Sequence, residues 1–395
     1  MSVMKKYFKE LSIVLKDNIR EYGMFIALAV IMIIFAISSK GLFLSSRNLA
    51  NLLNQTGYIA VLAVGMTLII VIRHIDLSVG FVAGFLGAVA AILMVNLNFP
   101  VLLVILIVLI IGVIIGLWHG FLVAFMGLPA FVATLAGMLL FRGALLQVTQ
   151  STGTIIIPND FFNAISNGYI PDIANIAGLH LLTLILGAVA VILYVFGEMR
   201  TRKVKQNYQF TVLNLNMFVT KLIFISVLVL GISYILATYR GISWTVVIML
   251  SVVGIYHVIT NKTVIGRYIY AVGGNPEAAE LSGISVKKIT LIVFGSMGLL
   301  SALSGIMFAS RLRSATVTAG TLFELDAIAA AFVGGVSAKG GIGKVTGSII
   351  GAIVMASLSS GMNLIGVDIS LQYIVKGLVL IAAVVFDVRT RNKNK

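Results

Sequence analysis

The sequence predicts an all-α, polytopic integral membrane protein, a bundle of about ten transmembrane helices. Of its 395 residues, 60% are hydrophobic and only 10% are charged, and the mean hydropathy is +1.11. Soluble domains are about half apolar and a quarter charged, so one soluble core cannot hold this excess. The apolar residues also occur in runs of about 17 to 25, the length that crosses the hydrocarbon layer as a helix.

Twelve apolar segments follow from run length, with Gly, Pro and charged residues as breaks. They are residues 22–38, 55–72, 78–96, 101–126, 130–150, 179–197, 218–238, 242–260, 289–309, 325–338, 345–361 and 371–388. The runs 325–338 and 345–361 are short and rich in glycine, and the breaks at 73–78 and 127–129 are tight. Some of the segments are therefore expected to be broken or re-entrant, which leaves about ten full crossings.

Lysine and arginine set the expected orientation of one membrane domain spanning residues 1–395. They concentrate in residues 1–21, 198–217, 262–288 and 389–395 and are sparse in the opposite loops, of which 151–178 is the longest. Because cytoplasmic loops carry the excess of basic residues, both termini are predicted to be cytoplasmic. The net charge of +15 is thus interpreted as a signal of orientation in the membrane and not as a sign of nucleic-acid binding.

Several kinds of chemistry find no support in the sequence. There is no cysteine, which excludes disulfides, Cys-ligated zinc and a thiol nucleophile. Residues 340–345 resemble a phosphate-binding loop only superficially, because they lack its spacing and its terminal hydroxyl. No catalytic residue, metal ligand set or cofactor site of the chain's own is predicted.

Ionisable residues close to apolar runs are the candidates for a transport pathway or gate, because charge at membrane depth is costly unless it is paired or hydrated. These candidates are Arg73, His74, Asp76, Ser78, Arg142, Glu324 and Asp326. Asp76 could instead pair with Arg73 or cap the next helix with Ser78, and the two acids at 324 and 326 could complement a helix start. The lone cations Arg142 and Lys376 are expected to snorkel to an interface, with pairing to an acid as the alternative.

Residues 262–288 form a cytoplasmic loop that contains a predicted short helix. Asn275 is its expected N-cap, Pro276 its first residue and Gly283 its stop. Because a helix of two turns is marginal alone in water, it should dock either on the chain's own spans or on a soluble partner.

Four stretches in order resemble the permease subunits of bacterial ABC importers for monosaccharides, nearest to the xylose and multiple-monosaccharide permeases. They are Ala63–Gly80, Leu128–Gly143, Ile269–Gly283 and Asp326–Gly343, and the resemblance covers about residues 45–388. It implies a homodimeric, multi-pass pore in the bacterial cell membrane, surrounded by lipid. It also implies two cytoplasmic ATPase subunits that bind ATP and Mg, an external sugar-binding protein, and xylose or a related sugar as the solute.

The resemblance further assigns a coupling element that inserts into the ATPase. Its residues would be Asn275, Pro276, Glu277, Ala278, Ala279, Glu280 and Gly283. Two alternatives from other classes stay open. One is an ion- or proton-coupled secondary transporter that uses Asp76, His74, Glu324 or Asp326 as a relay. The other is an enzyme acting on lipids, for which Glu277 and Glu280 are the only cytoplasmic acidic pair.

Overall fold

The computed structural model describes residues 19–150, 153–176, 178–210 and 212–392. The predicted cytoplasmic residues 1–18, with Lys5, Lys6, Lys9 and Lys16, lie outside the described residues, as do residues 393–395 of the predicted tail. Contacts divide the chain into two compact units. The smaller unit includes Leu44–Asn51 and Tyr169–Ser243, and the larger comprises Gly23–Phe43, Leu52–Gly168 and Trp244–Lys395.

Within the described ranges the chain is almost entirely helical, as predicted. The helices are α1 Ile19–Ser38, α2 Ser46–Val71, α3 Val79–Val95, α4 Val101–Ala124, α5 Ala130–Thr149, α6 Asp160–Asn167, α7 Leu181–Asn207, α8 Leu215–Ala237, α9 Trp244–Lys262, α10 Val264–Gly274, α11 Pro276–Leu281, α12 Val286–Leu312, α13 Phe323–Val333, α14 Val345–Leu364 and α15 Ile369–Asn392. Four short strands accompany them: β1 Thr154–Ile156, β2 Asn175–Ile176, β3 Leu179–His180 and β4 Ser314–Thr316. β1 pairs with β4 and β2 with β3, both antiparallel, with Thr154 opposite Thr316 in the first pair.

The polytopic helical fold is confirmed. Among the described residues, nine helices are long and apolar enough to cross a membrane, and Gly23–Ser38 and Val79–Val95 are shorter apolar helices. The 11 residues of α13 are far too short to cross, since at 1.5 Å per residue they cover roughly half of the hydrocarbon core. The short run 325–338 therefore agrees with the expectation that some of the segments do not cross the membrane fully.

Several of the predicted boundaries differ from those of the helices. The run 345–361 belongs to α14, a 20-residue helix long enough to cross, because residues 362–364 continue it beyond the apolar run. The basic segment 198–217 is not mainly a loop, because α7 continues through it to Asn207 and α8 begins at Leu215. Apolar length marks where hydrophobic residues end, whereas Lys, Arg and Gln are themselves good helix formers.

The smaller unit is built on the hairpin of α7 and α8, whose apolar side chains are largely exposed along both helices. The polar end of the hairpin is held by specific contacts. Lys221 Nζ lies 2.9 Å from Glu198 Oε1, and the Arg202 guanidinium lies 4.6 Å from the centre of the Phe218 ring. These contacts neutralise or cover charge where the predicted cytoplasmic ends of the two helices leave the apolar layer.

The larger unit is organised around α2, α12 and α14, which are mostly buried. The most extensive contact between two helices is that of α12 with α4, where glycines face each other. A Cβ at Gly298 would collide with the backbone of Gly112 and Gly116. Lipid tails are as apolar as the side chains, so membrane helices gain from such close approach and not from hydrophobic burial alone.

This packing yields a prediction for stability. Gly298→Ala should lower the melting temperature of the purified protein, because overpacking a tight contact costs about 1–3 kcal/mol. Gly254→Ala is the matched control, since Gly254 lies within α9 with nothing near its missing Cβ. An equal effect of the two substitutions would contradict the assigned packing.

Candidate functional site

The short helix α11 forms where the sequence predicts it. The Asn275 side chain accepts a hydrogen bond from the N–H of Ala278 at 3.1 Å, and Pro276 occupies the first helical position. At the other end, Gly283 has a φ of +82°, and the N–H of Ile284 bonds to the carbonyl of Ala279 at 3.0 Å. This is the helix stop that favours glycine. Both ends of α11 are therefore closed by its own residues.

The outer face of α11 is available to a partner within the described structure. Ala279 is buried against the chain, whereas Glu277, Ala278 and Glu280 are exposed. The side chain of Leu281 is 91% exposed, far more than a large apolar side chain needs to be. The helix is thus anchored on one side and presents two carboxylates and one apolar side chain on the other.

A junction of three backbone segments lies directly before α11. Arg73, after the end of α2, donates from Nε to the carbonyl of Gly273 at 2.7 Å, and its guanidinium also bonds to the carbonyl of Gly274. Those carbonyls end α10, so Arg73 caps this helix from another segment. The N–H of Gly341 bonds to the carbonyl of Val71 at 2.8 Å. We call these five residues the Arg73 junction.

The junction is tight and also includes the segment that leads into α14. The Tyr270 hydroxyl donates to the carbonyl of Gly343 at 2.6 Å, two residues before α14 begins. A Cβ at Gly273 would collide with the backbone of Val71 and Gly341. Arg73 itself has a φ of +67°, a conformation that costs energy in a residue other than glycine and persists only when the surroundings hold it.

The remaining residues of the 73–78 corner hold the start of α3. Asp76 is buried and accepts hydrogen bonds from the N–H of Ser78 at 2.9 Å and from its hydroxyl at 2.6 Å. Among the described residues Asp76 bonds to Ser78 and not to Arg73, and it thereby orients the N-cap residue of α3 without capping the helix with its own side chain. The ring of His74 lies 6.0 Å from the ring of Phe294.

The acids at 324 and 326 both lie in the first turn of α13, as predicted. Asp326 forms an ion pair with Lys376 of α15, with Nζ 3.0 Å from Oδ1 and 3.2 Å from Oδ2. The expectation that Lys376 snorkels is therefore wrong, and the alternative of pairing with an acid is confirmed, with the carboxylate 50 positions earlier in the chain. Glu324 is buried, and its Oε2 has no hydrogen-bond partner among the described residues.

The helix that carries Lys376 is fixed at its start by a capping acid. Asp368 accepts a hydrogen bond from the Ser370 N–H at 2.8 Å and another from the Ser370 hydroxyl. The hydrogen bonds from the side chain and backbone of Ser370 lower the pKa of Asp368 below its usual value. The carboxylate therefore stays charged at the N-terminus of α15, where the helix dipole favours it.

Arg142 lies apart from these groups. It is exposed on α5, and its guanidinium lies 5.6 Å from the centre of the Phe81 ring. This cation–π contact lets a cation remain beside apolar residues without an acidic partner. In the described part of the chain, no group of three or more His, Asp and Glu residues could hold a metal ion.

The sequence reasoning missed the polar groups that surround the ion pair. Gln55 and Tyr58 of α2 line a cavity together with Asp326 and Lys376. The missed signal was the cluster Asn54, Gln55 and Thr56 within an otherwise apolar region. It could have been recognised as a polar interruption of an apolar helix, but its partners could not, because they lie about 270 or more residues away in the chain.

Comparison with known proteins identifies the family. The model of the family described as "branched-chain amino acid transport system / permease component" matches residues 48–384. A xylose transport system permease protein of Haemophilus influenzae is 42% identical over 96% of this chain and 98% of its own length. The xylose transport system permease protein of Escherichia coli K12 is 38% identical over 95% of this chain and 94% of its own length.

A ribose import permease protein of Haemophilus influenzae is 36% identical over 93% of each chain. No solved structure matches the chain. A family model that covers most of the chain, and relatives that align over nearly all of it, agree with the nine long apolar helices of the described residues. The chain therefore belongs to this permease family and is a multi-pass protein of the cell membrane.

Proposed function

We propose that the chain is the membrane-spanning permease subunit of an ABC importer that carries a monosaccharide, xylose or a related sugar, into the cytoplasm. The support for a sugar is that relatives named as xylose permeases are 38–42% identical over nearly the whole chain. Energy comes from separate cytoplasmic ATPase subunits, which bind the ATP and Mg. A second copy of the chain completes the pore, and an external sugar-binding protein delivers the solute.

The observation that carries this proposal is the geometry of α11. An isolated six-residue helix is marginal in water, yet here both ends are capped and one side is anchored. Its free side presents Glu277, Glu280 and the exposed Leu281. A small apolar contact ringed by charge suits a protein interface better than lipid. In the proposed complex this face docks into a groove on the ATPase.

The Arg73 junction supplies a route from the ATPase to the spans. When ATP brings two ATPase subunits together, α11 moves with them, and the carbonyls of Gly273 and Gly274 move with α11. Arg73 and the Gly341–Val71 hydrogen bond link that motion to the end of α2 and to the segment before α14. Rigid, close-packed contacts transmit such displacements. The spans then alternate between inward- and outward-facing states around the axis of the dimer.

One observation favours a second candidate function, proton-coupled secondary transport. Glu324 is buried with an unpartnered carboxylate oxygen among the described residues, and buried carboxylates in membranes serve as proton relays. The other relay candidates fit less well. Asp76 is held by Ser78 and Asp326 is neutralised by Lys376. The ABC importer is therefore the stronger candidate.

Reversing the charge of the outer face of α11 tests the proposed function. Glu277→Lys/Glu280→Lys should abolish sugar uptake in the native cells and prevent co-purification of the ATPase, while the amount of the chain in the membrane stays normal. Asp160→Lys is the control, because Asp160 is an exposed acid at the start of α6 on the predicted external side. Normal uptake by the double variant would contradict the assignment of α11.

Removing the guanidinium of the junction tests the proposed route. Arg73→Ala should reduce the sugar imported per ATP hydrolysed by about tenfold or more, since hydrogen bonds to charged groups contribute about 1.5–3 kcal/mol. Arg73→Lys should recover only part of this ratio of sugar to ATP, because an ammonium cannot reproduce the planar fork of the guanidinium. Arg142→Ala is the control cation. If Arg73→Ala lowered uptake and ATP hydrolysis in equal proportion, the guanidinium would have no part in coupling.

A further inference from the structure

The ion pair between Asp326 and Lys376 lies where two cavities meet. One cavity of about 380 Å³ and another of about 210 Å³ share Asp326, Met355 and Lys376 in their walls. Charged side chains within membrane helices are costly and commonly mark a solute pathway. An ion pair that served only to hold α13 against α15 would not need open space on two sides.

Further polar groups face the same cavities. Gln55, Thr56, Tyr58 and Ser359 line the smaller cavity, and Tyr373 lines the larger. The side chains of Gln55 and Tyr58 make no hydrogen bond within the described residues, so their donors and acceptors are available. The Tyr58 ring is held in place by the rings of Phe308 and Phe323, at 5.0 Å and 4.9 Å between centres.

The chemistry of these groups selects a class of solute. A carboxylate offers about four acceptor positions and an ammonium three donors, so the mutual pair uses only part of their capacity. An amide and hydroxyls add groups that both donate and accept. The pair carries no net charge, so it does not favour a cation or an anion. A neutral molecule with many hydroxyl groups fits this set of donors and acceptors.

We propose that Asp326 and Lys376, with Gln55 and Tyr58, form a hydrogen-bonding site that a monosaccharide occupies in transit through the permease. This inference rests on the proposed sugar import. The site is expected to bind the sugar weakly. The ion pair is already satisfied without solute, so binding only exchanges existing hydrogen bonds for hydrogen bonds to the sugar. A transport site must be favourable enough to enter and weak enough to leave.

Exchanging the two charges separates this role from a structural one. Asp326→Lys/Lys376→Asp restores an ion pair but moves each donor and acceptor to the opposite helix. The melting temperature of the purified exchange variant should exceed that of Lys376→Met, while sugar uptake in the native cells stays at least about tenfold below wild type, the size expected for one lost hydrogen bond to a charged group. Recovery of uptake together with stability would overturn the proposal and leave a structural pair.

The absence of cysteine from the chain allows a direct test of occupancy. Ser359→Cys introduces one thiol into the smaller cavity, and its labelling by a permeant maleimide is followed in the native cells with all partners present. At a xylose concentration of about ten times its Kd for the proposed site, labelling should slow by about tenfold. Leu97→Cys, an exposed position between α3 and α4, is the control whose labelling xylose leaves unchanged.

The outcomes keep the two proposals apart. If the wild-type chain imports xylose or ribose but neither sugar slows labelling of Ser359→Cys, the site is refuted while the importer stands. Protection by leucine in place of either sugar would also refute it, because a zwitterion would then be the solute that this charge pair accepts. A wild-type chain that imports no sugar at all refutes both the importer and the site.

Discussion

The structure depends on one constraint: where a membrane helix breaks, its free backbone polar groups must be satisfied. The bilayer core offers no water, so every N–H and C=O that leaves a helix must find its partner within the protein. Among the described residues, two irregular segments adjoin buried helices, one after α2 and one between α13 and α14. The two segments meet where the carbonyl of Val71 accepts from Gly341, and within the first segment Asp76 accepts from Ser78. These contacts satisfy part of the polar groups that the irregular backbone exposes.

The same contacts link α11, which we propose lies on the cytoplasmic side, to the spans. Because the broken segments meet beside the end of α10, the residue that satisfies that helix end is Arg73 from α2, and α11 follows immediately. In the proposed mechanism a displacement of α11 does not stay local. It reaches α14 through the loop at Gly341 and Gly343, and α14 packs along α13, which carries Asp326. A solute pathway near the Asp326–Lys376 pair would thus be opened and closed from the cytosol.

The sequence predicted those features that depend on neighbouring residues. Run length located the helices to within several residues at most ends, and the Asn275, Pro276 and Gly283 pattern located α11, because caps and stops act within one turn. The sequence-based prediction failed where a helix continues beyond its apolar residues, as at the basic end of α7. It also failed where partners are far apart in the chain: Arg73 meets Gly274, and Asp326 meets Lys376, which no local pattern reveals.

The central claim is that this chain has no energy source of its own and is driven through α11. The most direct measurement is solute accumulation by the purified chain alone in sealed vesicles, with a proton or sodium gradient imposed and no ATPase present. The account predicts that xylose at most equilibrates across the membrane. Accumulation of the sugar against its own gradient under these conditions would contradict it.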